Sequence, residues 1–91
     1  MASQLTVETV EQGDEYYHVR FRDPDSFEEI RTPDWANNPA RSVVPESRVR
    51  MGQNDDDDEW LVQSVLVPID GVDDRDDASR KALEIVTKIS D

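Results

Sequence analysis

His18, Arg20 and Arg22 alternate along one stretch of this chain, and Arg48 and Arg50 alternate along another. A spacing of two puts side chains on one face of a β-strand, so each stretch projects its cations in a single direction. Guanidinium groups in such a row recognise carboxylates or phosphates through paired N–H donors and stack on aromatic rings. An imidazole beside them adds a group that titrates near neutrality and can serve as a base or help to bind an anion. If Phe21 and Val49 face a common core, His18, Arg20, Arg22, Arg48 and Arg50 all fall on the opposite side of one sheet, where Tyr16, Trp60 or Val62 can interleave with them. These five residues are the candidate partner-binding set. The competing reading is that the arginines form cross-strand ion pairs with Glu8, Glu11 and other nearby acids and only hold the sheet together.

Other chemistries find little support. His18 is the single histidine, so any His-based mechanism must run through it, and a histidine on a solvated strand face explains it without one. There is no cysteine, which removes disulfides, thiol nucleophiles and thiolate metal sites. Ser42, Ser47 and Ser64 lack identifiable catalytic partners, and Gly13, Gly52 and Gly71 read as isolated turn residues and not as a phosphate-binding loop. The run Asp55–Glu59 invites a calcium or magnesium reading, but it has neither the alternate ligand spacing nor the central glycine of an EF-hand loop. The cluster Asp70, Asp73, Asp74, Asp76 and Asp77 is accounted for by helix capping. No catalytic residue, metal ligand or cofactor is assigned, and the chain is expected not to be an enzyme.

The charge balance says more about solvent than about reaction. Among 91 residues, 22 acids face 10 Lys and Arg, for a net charge of -12. Eight of the ten bases are Arg, and hydrophobic residues make up 35%, below the roughly 45–50% usual in globular domains. Excess Asp, scarce Lys and a lean core resemble the bulk composition of proteins from salt-accumulating halophilic archaea. The alternative is an acidic protein of an ordinary cell, such as a nucleic-acid mimic or a partner of something basic. Charge is also uneven along the chain: residues 1–19 carry -4, residues 20–50 are neutral with six Arg, and residues 51–91 carry -8.

The elements that must position the cations follow from hydrophobic periodicity. Gln4–Val10 is a first predicted strand, turned at Gln12-Gly13-Asp14 into a second, Tyr16–Arg22, with Tyr17, Val19 and Phe21 inward. Residues 26–45 are expected to form one or two short helices that cross from one sheet edge to the other. Trp35 anchors them, Phe27 and Ile30 favour one helical turn, and Pro39 and Pro45 limit their length. Ser47–Gln53 is a third strand. Trp60–Ile69, apolar on both faces, is a fourth and central one. Ala78, Ala82, Ile85, Val86 and Ile89 then mark an amphipathic C-terminal helix.

The expectation is a single α+β domain over residues 1–91, two layers deep, with about four mainly antiparallel strands and the C-terminal helix packed on the sheet. Residues 1–10 lack the charge and apolar run of a signal peptide and no segment reaches bilayer length, so a soluble cytoplasmic protein is expected. The expected role is a protein-interaction or adaptor module using the Arg-bearing face or an exposed strand edge. A nucleic-acid-associated protein using the same face is the alternative. Monomer and homodimer both stay open, and no membrane partner is expected.

Overall fold

The computed structural model describes residues 7–54 and 60–90; the Asp55–Glu59 run and the start of the first expected strand lie outside them. Strands β1 (Thr9–Gln12), β2 (Tyr16–Arg20), β3 (Glu29–Arg31), β4 (Arg48–Gln53) and β5 (Leu61–Pro68) make one antiparallel sheet in the order β1-β2-β5-β4-β3. Helices α1 (Asp34–Val43) and α2 (Arg75–Ser90) pack on it and on each other. The α+β architecture is therefore the expected one, with α2 against the sheet and the doubly apolar strand β5 at its centre.

Four local readings need correction. The sheet has five strands, because Ile30 belongs to the short edge strand β3 and not to a helical turn. Among the described residues the only turn of helix before it is a 3-10 turn at Pro24–Ser26, capped by the Asp23 side chain. Helix α1 continues through Pro39 for 10 residues; the proline removes one backbone hydrogen bond, the one that would end on the Trp35 carbonyl, and the helix tolerates its loss. Trp35 is no anchor, being 53% exposed. The buried stripe is Ala36, Ala40 and Val44, one residue out of phase with it. Gly52 lies within β4 and not in a turn.

The core explains how so apolar-poor a chain folds. Tyr17, Val19, Phe21, Val49, Met51, Val62, Val65 and Val67 cover one sheet face, and Ala78, Ala82, Ile85 and Val86 of α2 lie on them with the α1 stripe. Alanines bring the helix backbones close to the sheet, so a single thin layer of side chains fills the space between them.

A β-bulge sets the phase of β5. Val62 pairs with Met51 and Ser64 with Arg50, leaving Gln63 as the extra residue. This is why Val62 and Val65, three apart, share the buried face. Gln63 is fully buried, and its carbonyl and both side-chain polar atoms are used. Its carbonyl accepts from the Phe21 and Arg22 amides at 2.9 and 3.2 Å. Its side chain donates to the Arg22 carbonyl at 2.8 Å and accepts from the Ser64 hydroxyl at 2.7 Å. On the other side of β4, where β3 has already ended, the buried Asn37 side chain of α1 accepts from the Val49 amide at 2.9 Å and continues the ladder in place of a strand.

Candidate functional site

Among the described residues helices cover only one face of the sheet, and the residue register defines what the other presents. Two rows cross its four strands from β1 to β4. One is Glu11, His18, Leu66, Arg48; the other is Thr9, Arg20, Ser64, Arg50. Four of the five candidate cations thus share the open face. They are not one continuous strip, because β5 separates β2 from β4. His18 and Arg20 stand on one side of Leu66 and Ser64, and Arg48 and Arg50 on the other, about 10 Å apart at the usual strand spacing.

Arg22 departs from the set. The pairing of β2 with β5 ends at Arg20, and the bulge at Gln63 draws both following amides onto one carbonyl. The Arg22 guanidinium donates to the Val62 carbonyl at 2.7 Å, which ties it to the backbone of β5.

The remaining four differ in what neutralises them. Arg20 makes an ion pair with Glu11 at 3.0 Å, the cross-strand pairing expected of a purely structural arginine. Arg48, exposed, and Arg50, half-buried, make no ion pair among the described residues. His18 is half-buried between Glu11 and Leu66. Its burial, reinforced by the Arg20 and Arg50 guanidinium groups, holds its pKa below the ordinary value of 6.5, and Glu11 opposes the shift. Its Nε2 and the Arg20 Nε are buried with no hydrogen-bond partner among the described residues.

At the β3 side the face is already roofed. Gly52 sits under the Phe27 ring, which occupies the place a Cβ would take. Among the described residues neither Phe27 nor a helix roofs the β1-β2-β5-β4 region, although Ser64 within it is fully buried. Two depressions there share Tyr16. One, about 530 Å³, is lined by Glu11, Asp14, Glu15, His18 and Leu66 among others. The second, about 450 Å³, is lined with Tyr16 by Arg41, Glu46 and Arg48. Glu46 holds a left-handed backbone at φ 70°, in a turn closed by the Ser47 amide donating to the Val44 carbonyl at 3.2 Å. For a residue with a Cβ that conformation costs about 1 kcal/mol. Sequence reasoning did not connect Leu66, Arg41 or Glu46 with this face, since nothing local to them signals which strand lies beside which.

The second acidic cluster does cap α2: Asp74 accepts from the Asp77 amide at 2.8 Å, and Asp77 accepts from the Asp73 amide at 3.0 Å. Among the described residues no group of His, Asp and Glu side chains converges as metal ligands would, and no helix is long and apolar enough to cross a membrane. Comparison with protein-family models, curated proteins and solved structures produced no match.

Proposed function

We propose that this chain is a protein-interaction module, not an enzyme, and that its working surface is the open sheet face around Leu66, bounded by His18, Arg20, Arg48 and Arg50. The observation that carries this reading is the state of Arg48 and Arg50. In a chain with 22 acids and a net charge of -12, two neighbouring guanidinium groups stand on one strand face without an ion pair among the described residues. Arginine flanked by Tyr16 and Leu66 suits a protein contact, where bidentate carboxylate recognition and stacking combine with apolar burial. The composition supports a cytoplasmic setting rich in salt. A nucleic acid is the less favoured occupant: the acids of the β1–β2 hairpin border the same face, and phosphate binding weakens steeply as salt rises.

Reversing both charges in Arg48→Glu/Arg50→Glu tests this. The circular dichroism spectrum is expected to stay that of the wild type, while a partner recovered from native cells at native salt is lost. The matched reversal Arg75→Glu/Arg80→Glu on α2 is expected to retain it. Recovery of the same partner by the Arg48/Arg50 variant would overturn the reading, and nuclease-sensitive recovery would transfer the face to nucleic acid.

A further inference from the structure

The open face is electrically polarised across the strands. Glu11, Asp14 and Glu15 gather on the β1–β2 hairpin side, and Arg41, Arg48 and Arg50 on the β4 side, with Leu66 and a half-buried His18 between them. The hairpin border is acidic apart from Arg20, which is paired with Glu11. The β4 border is basic apart from Glu46, and Leu66 stands between them. Each border therefore complements the other when one copy is turned onto a second. Two-fold symmetric pairing requires that property, since each side meets the other side of an identical copy.

We propose that a second copy of this chain docks on the open face, about a two-fold axis parallel to the strands and midway between β2 and β5. This rests on the reading of that face as a protein interface and names its partner. The axis lays β1 over the second copy's β4 and β2 over its β5. In the first row Glu11 then faces the second copy's Arg48, and His18 faces its Leu66, each contact occurring twice. In the second row Thr9 faces Arg50, and Arg20 lies over the position of Ser64, which is itself fully buried. No like charges meet in either row. Glu11 keeps Arg20, because a carboxylate has about four acceptor sites on two oxygens and the pair within the chain uses Oε1. The depression of Glu11, Asp14 and Glu15 beside Tyr16 in one copy opposes, in the other, the one where Arg41 and Arg48 stand with Glu46.

Salt decides whether two such acidic chains can meet. Each carries -12, so at about 0.01 M salt, where screening extends over roughly 30 Å, they repel as whole bodies. At about 1 M the screening length is roughly 3 Å, and that repulsion vanishes while contacts excluded from solvent persist. Self-association therefore strengthens with salt, opposite to nucleic-acid binding.

Sedimentation equilibrium of the full chain at about 1 M KCl tests the proposal. The wild type is expected at twice the chain mass of 10.4 kDa, dissociating as KCl is removed. Arg48→Glu and Glu11→Arg are each expected to weaken association by about tenfold or more, the scale of a close charge pair across an interface. Mixed in equal amounts they are expected to pair again, because both contacts then join a Glu to an Arg. A wild type of single-chain mass at every salt concentration overturns the proposal, as do single variants that dimerise like the wild type. Should Glu11→Arg unfold through loss of its Arg20 contact, Leu66→Asp takes its place, and a dimeric Leu66→Asp protein overturns the proposal equally. A monomeric wild type that still loses a different partner on Arg48→Glu/Arg50→Glu substitution retires the second copy and keeps the interface.

Discussion

His18 is where bulk charge and local placement pull in opposite directions. The net charge of -12 favours a protonated imidazole, yet burial, with Arg20 and Arg50 nearby, favours the neutral ring against the pull of Glu11. The local effect wins because long-range fields are screened by water and salt, whereas desolvation acts on the ring itself. A consequence for stability follows from the sign of the shift. The unfolded chain takes up a proton near the ordinary value of 6.5, and the folded chain only at a lower pH. Above 6.5 the ring is neutral in both states and contributes nothing. As pH falls below 6.5, the unfolded state binds more protons and stability is lost, until the folded state titrates as well. Melting temperatures of wild type and His18→Gln, measured from about pH 7.5 to about pH 5.5, are expected to diverge, with the wild type losing more. Parallel curves would show that His18 does not carry this dependence.

At the scale of elements, the sheet protects its own margins. Both edge strands are short, β1 with four residues and β3 with three, which limits the unpaired backbone offered to another chain. On the open face beside β3, Phe27 covers Gly52, so the ring replaces the side chain that β4 lacks there. Gly52→Ala forces a methyl group into that ring. Overpacking of this kind costs about 1–3 kcal/mol, and the expected result is a lower denaturation midpoint with Phe27 displaced from the face. An unchanged midpoint would mean that the ring moves aside freely. The bulge at Gln63 works at the same scale, because it keeps Val62 in the core and takes Arg22 away from the cationic set.

For the whole molecule, the governing comparison is between its size and the reach of its charge. The radius of gyration is 12.3 Å, while the screening length is about 30 Å at 0.01 M salt and about 3 Å at 1 M. In dilute buffer every carboxylate feels every other, and the thin alanine–valine core must resist their sum. In molar salt each acid feels only its neighbours. The melting temperature is expected to rise steadily over a KCl series from dilute to molar, and a melt indifferent to KCl would remove salt adaptation as the reason for the acidic surface.

The strands that carry the cations, the inward set of β2 and the amphipathic face of α2 were legible along the chain, because side-chain periodicity of two or of about 3.6 residues is a local property. The central place of β5 was legible for a related reason: a long apolar run suits the interior of a sheet and not an exposed edge. Residues 26–45 were not. Ile30 becomes a strand residue only because β4 offers it an edge, and Trp35 is exposed because Ala36 and Ala40 fit closer to the sheet. Which arginines stand together was likewise settled by tertiary structure. Strand order placed β5 between His18 and Arg48, a bulge turned Arg22 aside, and the hairpin brought Glu11 within reach of Arg20. Pattern along a chain reports which way a side chain points; what stands beside it depends on pairing between segments far apart in sequence, and that is decided only when the sheet closes.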